Sequence, residues 1–478
     1  MCCCLCIHIK MIRWGISAGH HDAAISVVED DKILFAGHAE RYSGIKNDKN
    51  LNQFLVQEAL QYGEPEKIFW HESPFWKNTR RIYAGQKWQK NNVKELLRSF
   101  GLDYWTVEYA THHQSHAAAG MFTSPFINSI VIVIDAIGEW TTSSIWSGAM
   151  GKFWSTRYPT SLGMFYSAIT DRCELKANED EYILMGMAAY GDPDIYYDQM
   201  RQLLNQNLHN GCRNWLPGVK DYYDFAASAQ KIYEEEFRKI LEISKKYAYN
   251  NNLVLQGGCA LNCVANNIAL EYYDNVWIMP NPGDAGASLG AVLAHTHQHV
   301  DFTPYLGHNI EGPYPGQQLL NELLKGNMVG VANGRAEYGP RALGNRSLLA
   351  DPRGVDVKDK VNKIKRRQEF RPFAPVILEE EASKYFEMPV KEAPFMQYTA
   401  KCKEPKKYPA IVHVDGTSRV QTVTRKQHPG LYQLLVAFKN QTGCPMLLNT
   451  SLNIKGKPIV NTSEDGIMFS KKYDIKVF

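Results

Sequence analysis

The chain of 478 residues holds 53 Lys and Arg against 50 Asp and Glu, which excludes the overall basic footprint of a nucleic-acid surface. No apolar run reaches the roughly 18 residues that span a bilayer, so a membrane role is not expected, and the length allows two or three domains with full cores. With no secretory signal in view a cytoplasmic enzyme is the expectation, and nothing in the composition sets an oligomeric state.

Four of the ten cysteines, Cys2, Cys3, Cys4 and Cys6, crowd into MCCCLCIHIK before a second methionine, Met11. Residues 1–10 are read as an extension outside the folded protein rather than a palmitoylated or metal-binding tail. The other six, Cys173, Cys212, Cys259, Cys263, Cys402 and Cys444, stand singly. They give no paired framework, which suits a reducing compartment.

From Trp14, WGISAGHHDAAISVVEDDKILFAGHAERY predicts a strand, a glycine turn and a hairpin closed at Glu29-Asp30-Asp31. HHQSHAAAG predicts a helix on which His112 and His116, four apart, share one face. SIVIVIDAIGEWTTSSIWSGAM repeats the opening: a β-branched strand ending on Asp135, a glycine turn, a second strand. Two such openings predict a duplicated α/β domain, the layout of the actin-like, sugar-kinase-like (ASKHA) fold. There, paired hairpins clasp nucleotide phosphates and a later glycine turn holds the adenosine. KIYEEEFRKILEISKKYAY has helical spacing of its apolar residues and reads as scaffold. NNLVLQGGCALNCVANN, a strand running into Gly257 and Gly258, reads as the later glycine turn, and NPGDAGASLGA puts Asp284 in a turn that opens a helix. Segment 301–316, rich in Pro and Gly, reads as a linker between an N-terminal domain at 11–300 and a compact α/β domain at 317–478.

A lone histidine is ordinarily a satisfied core group. A pair at helical spacing, with Asp135 and Asp284 in reach, suits a borderline divalent ion such as Fe, Mn or Zn, among which the ligand set does not choose. The richest segment is NGRAEYGPRALGNRSLLADPRG at 333–354, with four arginines (Arg335, Arg341, Arg346, Arg353) and four glycines. A solvated basic face is the bland reading of a charge run. Glycines that admit close backbone approach, beside guanidinium forks, favour a phosphate site instead. Arg335, Arg341 and Arg346 are therefore expected at a nucleotide, together with Gly257, Gly258 and Asn262. KIKRRQEFR at 363–371 is a second cationic run. His21 and Asp22, in the first glycine turn, read equally as a turn-stabilising pair or as site residues.

Nine strings occur in order: HHQSHAAAG (112–120), VIDAIGEWTT (133–142), MGMAAYGDP (185–193), LQGGCALNCVANN (255–267), NPGDAGASLGA (281–291), GRAEYGPRALGNRSLLADPR (334–353), FRPFAP (370–375), HVDGTSRVQTV (413–423) and LLNTSLNIKGKPIV (447–460). Together they resemble the O-carbamoyltransferases of the nodulation and antibiotic-biosynthesis type, from about Trp14 to the C-terminus. The resemblance implies a YrdC-like C-terminal domain behind the ASKHA-like one. It also implies an ATP-dependent reaction in which carbamoyl phosphate yields carbamate, and carbamate with ATP (and Mg) yields carbamoyl-adenylate and pyrophosphate. The carbamoyl group then passes to a hydroxyl of a sugar, small molecule or nucleoside.

Residue by residue, the resemblance makes His112, His116, Asp135 and Asp284 metal ligands, with Fe(II) favoured. It turns His21 toward the transfer site as proton acceptor, with neighbouring His20 competing for that place. Lys365, Arg371, Arg419, Asn449 and Ser451 would meet carbamoyl phosphate, with Lys365, Arg367 and Arg419 acting in catalysis. Two positions depart from the family: Gln368 follows Arg367 where Glu is usual, and DEYILMG replaces a glycine-lysine lead-in. A tRNA threonylcarbamoyl transferase shares the His-x3-His pattern, but the charge balance and the GPRALGNR and FRPFAP strings argue against it. An ATP-binding sugar-kinase-like protein would leave the His/Asp set and the second cationic domain unexplained.

Overall fold

The computed structural model describes residues 11–478 apart from His20, Asn91, Tyr104, Trp105 and Val355; the extension at 1–10 lies outside the described residues. Ile12–Ser17 (β1) pairs antiparallel with Ala24–Glu29 (β2), which turns back onto Lys32–His38 (β3). Lys67–Trp70 (β4) joins the free edge of β1 in parallel, and Thr106–Tyr109 (β5) joins β4, giving the order β3-β2-β1-β4-β5. Ile130–Ile134 (β6), Thr141–Ser147 (β7) and Lys152–Arg157 (β8) repeat the antiparallel meander. Asn252–Gln256 (β9) and Asn275–Ile278 (β10) extend it in parallel from β6, in the order β10-β9-β6-β7-β8. The two sheets thus share one strand order and one set of strand senses, a structural repeat at the two openings visible in the sequence.

Two helices, His112–Thr123 and Ala287–Thr296, fill the space between these sheets with small residues, among them Ala117, Ala118, Ala119 and Ala291. Gly290 allows their contact: a Cβ there would fall 1.8 Å from the Ser115 carbonyl oxygen. Any side chain would push the helices apart, and overpacking of this kind costs about 1–3 kcal/mol or more. The close approach brings the start of the first helix, with its histidines, against the turn at Asp284.

The next segment is a strand. Tyr305–Ile310 (β11) precedes Val329–Ala332 (β12) and pairs antiparallel with Gly334–Glu337 (β13), so 301–316, expected as a linker, contains a paired strand. The prolines flank the strand and Gly307 lies within it, while Leu306 is buried in the core between the sheets. Arg346–Ala350 (β14), Ala374–Leu378 (β15), Phe386–Glu387 (β16), Ala400–Cys402 (β17), Thr417–Ser418 (β18), Gln421–Val423 (β19) and Met446–Ser451 (β20) complete the strands among the described residues. They form a mixed sheet β12-β14-β20-β15-β19 and a small sheet β16-β17-β18. The mixed sheet buries Val331, Leu348, Val376 and Leu447 with Phe438 of the helix Pro429–Thr442.

Candidate active site

The helix His112–Thr123 carries His112 and His116 one turn apart, and both are buried. Their Nε2 atoms lie 3.1 Å from each other. His112 Nε2 is 2.9 Å from Asp135 Oδ2, and His116 Nε2 is 3.3 Å from Asp284 Oδ1. Two neutral imidazole nitrogens at this separation share one proton at most, whereas a cation satisfies both lone pairs. The four ligand atoms all lie within 4.8 Å of one another. Burial and mutual repulsion oppose ionisation of the two carboxyls, but the histidines outweigh them and hold both pKa values below the usual carboxylate range. The set fits a divalent ion with mixed nitrogen and oxygen ligands. His113 faces elsewhere, with Nδ1 2.7 Å from the Ser144 hydroxyl.

Asp135 is fixed by the turn after β9. Gly257 has φ +88°, and a Cβ there would fall 2.1 Å from the Ile134 carbonyl oxygen, so only glycine lets the two strands close. The next residue, Gly258, then donates its N–H to Asp135 Oδ1 at 3.3 Å. Gly257 supports the site from behind, with its own N–H on the Pro282 carbonyl, and Gly258 lines the cavity in front.

His21 sits at the edge of the cluster, its Nδ1 3.0 Å from Asp22 Oδ2 and its Nε2 3.8 Å from Asp284 Oδ2. Burial disfavours its charged form, yet Asp284 and Asp22 together push its pKa up to about 10. It therefore stands as an imidazolium at neutral pH in this charge environment, and a cation bound to Asp284 would lower that value. His20, its sequence rival, lies outside the described residues.

One cavity of about 770 Å³ joins this cluster to the cationic residues of the C-terminal half. Its lining includes His21, Asp135 and Asp284 of the first group and Arg341, Lys365, Arg371, Arg419, Asn449 and Ser451 of the second. Burial, then the charge of Arg419, lowers the pKa of Arg341. Burial, followed by Arg367 and Arg371, holds the Lys365 amine well below its ordinary range. Confined cations of one sign are stabilised by an anion, and phosphate oxygens match guanidinium forks.

Two segments of the sequence, 77–216 and 207–293, match the family described as the carbamoyltransferase N-terminus, and 320–478 matches the carbamoyltransferase C-terminus. The nodulation protein NolNO of Sinorhizobium fredii is 31% identical, over 94% of this chain and 76% of that protein. The chain belongs to the carbamoyltransferase family. An uncharacterized Synechocystis protein, sll1178, is 33% identical over 94% of this chain and 92% of its own length. The 3'-hydroxymethylcephem-O-carbamoyltransferase of Amycolatopsis lactamdurans is 27% identical over 95% of both chains.

In this carbamoyltransferase, two of the arginines expected at a nucleotide are structural. Arg335 donates to the carbonyls of Leu34, Leu306 and Gly307 and lies over the Tyr62 ring. Arg346, fully buried, donates to the carbonyls of His308, Asn333, Gly334, Asn345 and Asn461. Both guanidinia bind main-chain oxygens around β11 and β13, so neither reaches the cavity. Arg341 does.

Several residues that line the cavity are oriented differently from expectation. Arg367 is committed to Asn362 Oδ1 and the carbonyls of Arg371 and Pro372, and stacks on Phe373 at 4.0 Å. Asn262 bonds to Gln230 and caps Ala265 N–H. Lys365 Nζ donates to Ser451 O, Ser451 Oγ and Asn453 Oδ1, while the Ser451 hydroxyl donates to Asn453. Gln421, unremarked in the sequence, sets Asn449. Its Nε2 donates to the Leu343 carbonyl, so its Oε1 must accept from Asn449 Nδ2, which also donates to the Ala342 carbonyl. Among the described residues Asn449 Oδ1 is buried without a partner, so this residue offers an acceptor.

Proposed function

We propose that the chain is an ATP-dependent O-carbamoyltransferase that makes carbamoyl-adenylate from carbamoyl phosphate and passes the carbamoyl group to a hydroxyl acceptor. The observation that carries this reading is the single cavity lined both by cations and by residues of the His/His/Asp/Asp cluster. The N-terminal half is read as ASKHA-like, from its repeated meanders, and the C-terminal half as YrdC-like. The proposed acceptor is a small molecule, sugar or nucleoside, and the proposed setting is the cytoplasm.

Beside the cationic residues, water cleaves carbamoyl phosphate to carbamate and phosphate. A carbamate oxygen then attacks the α-phosphorus of Mg-ATP, and pyrophosphate leaves. Carbamate is a poor electrophile until it carries such a leaving group. Arg341, Arg371 and Arg419 stabilise the phosphate charge, and Asn449 Oδ1 can accept from the carbamoyl NH2. Beside the His/Asp cluster, the acceptor oxygen attacks the carbamoyl carbon, AMP departs and the hydroxyl proton is lost. A divalent ion held by His112, His116, Asp135 and Asp284, proposed as Fe(II), would polarise oxygens there as a Lewis acid. His21 is placed to hold or receive the acceptor proton once the charge of Asp284 is offset.

The test is pyrophosphate release from ATP with carbamoyl phosphate, followed by mass spectrometry of a panel of hydroxylated acceptors. The reading predicts carbamoyl phosphate-dependent pyrophosphate and an acceptor mass increase of one carbamoyl group. Release of ADP in its place would assign the chain to the kinase-like alternative.

A further inference from the structure

The loop that follows the helix Val357–Lys365 belongs to the C-terminal half, yet it is held by aromatic residues of the N-terminal half. Phe370 packs edge-on against Tyr190 at 5.7 Å and against Tyr223 at 6.3 Å, and its carbonyl accepts from the Tyr190 hydroxyl at 3.3 Å. The ring also lies over Gly186, where a Cβ would be in ordinary contact with it at 3.7 Å. One residue on, Arg371 Cζ lies over the Tyr182 ring, 4.4 Å from its centroid. Tyr182 is on the helix Glu181–Met187, in the DEYILMG segment that departs from the family pattern, and lines the cavity.

The two neighbouring arginines are held in opposite ways. The guanidinium of Arg367 is engaged through Nε and Nη2 with an amide oxygen and two carbonyls. Arg371 has a 3.4 Å contact to Gln368 Oε1 and the face of Tyr182. The Tyr182 ring attracts the guanidinium through its quadrupole, its hydroxyl accepts one guanidinium hydrogen bond, and the remaining N–H donors stay free of it. It therefore restrains the plane of the fork and leaves the fork able to bind an oxyanion.

We propose that Tyr182 is a positioning residue that presents the Arg371 fork to the phosphate of carbamoyl phosphate, tying the activation site to the transfer half of the enzyme. The inference rests on carbamoyl phosphate binding at the cationic residues. Phenylalanine keeps the ring contact and loses the hydroxyl, so it should preserve part of the positioning, and an aliphatic residue none of it.

The experiment is a double-mutant cycle on the full chain, reading KM for carbamoyl phosphate and kcat from pyrophosphate release. Y182L should raise KM about tenfold with kcat changed less than twofold, and Y182F should raise KM by a few-fold, between wild type and Y182L, with kcat again changed less than twofold. In an R371A background, Y182L should add nothing. Should Y182L prove insoluble, Y182Q makes the same comparison. An effect of Y182L that persists in R371A, an unchanged KM in Y182L and Y182Q, or an equal loss in Y182F overturns the assignment to Tyr182 alone. Wild type that shows no saturation by carbamoyl phosphate overturns both this assignment and the activation chemistry beneath it.

Discussion

Glu139 accepts the backbone N–H of His112 through both carboxylate oxygens, at 3.0 and 3.2 Å. The same carboxylate accepts the N–H of Ser73 at 2.8 Å. Thr111, the residue at the N-cap of the His112 helix, makes no side-chain cap, so Glu139 caps that helix from the turn between β6 and β7. A histidine of the proposed metal site is thereby fixed through its main chain. Outer partners of this kind typically contribute about 10–100-fold to metal affinity. E139A should therefore weaken metal binding by about tenfold or more while the fold is retained, measured by competition with a coloured chelator and by circular dichroism. Unchanged metal affinity in a folded E139A would show that the cap does not position His112.

Arg346 should behave as a structural residue. Its removal leaves several buried carbonyls without donors, and an orphaned buried polar group costs about 1–3 kcal/mol. R346A should lower the melting temperature by several degrees and leave KM for ATP in the folded enzyme within about twofold. A raised KM with unaltered melting would restore it to the nucleotide site.

Much of the fold was legible because strands announce themselves by β-branched runs, as at Ile130–Ile134, and turns by glycine, as at Gly257. The His/His/Asp/Asp cluster was legible because His112 and His116 are one helical turn apart and both acids lie at glycine turns. The strand Tyr305–Ile310 was not, because its pairing partner lies more than twenty residues on and prolines flank it. Nor were the roles of Arg335 and Arg346: a guanidinium that binds carbonyls and one that binds phosphate look alike in sequence, and only the position of the main chain separates them. The polarity of Asn449 depends on Gln421 and two carbonyls brought together by the sheet. No local pattern encodes it.

That polarity gives a selectivity prediction. An acceptor at Asn449 Oδ1 favours a ligand with an N–H, so carbamoyl phosphate should be preferred over acetyl phosphate. N449A should narrow that preference about tenfold, one hydrogen bond of about 1.5 kcal/mol, read as the ratio of pyrophosphate-release rates with the two compounds. An unaltered ratio would mean the amide group is recognised elsewhere.

Lys365 supplies a pH dependence. Burial and then the charges of Arg367 and Arg371 hold its pKa well below the ordinary value, so the free site favours the neutral amine as pH rises. A bound phosphate offsets those causes and raises the pKa, so binding draws in a proton. Affinity for carbamoyl phosphate should fall as pH climbs through the pKa of the bound state. Calorimetry in two buffers of different ionisation enthalpy should show proton uptake in wild type and none from this residue in K365M. Equal uptake in both would place the proton on another group.

The division of one cavity between two reactions is best probed with the double variant H112A/H116A. Metal content, carbamoyl phosphate-dependent pyrophosphate release and acceptor carbamoylation are followed on the same preparation. The account predicts a metal-free protein that still releases pyrophosphate within a few-fold of wild type and forms no carbamoylated acceptor. Full transfer by the metal-free variant, or loss of pyrophosphate release along with transfer in a folded protein, would contradict it.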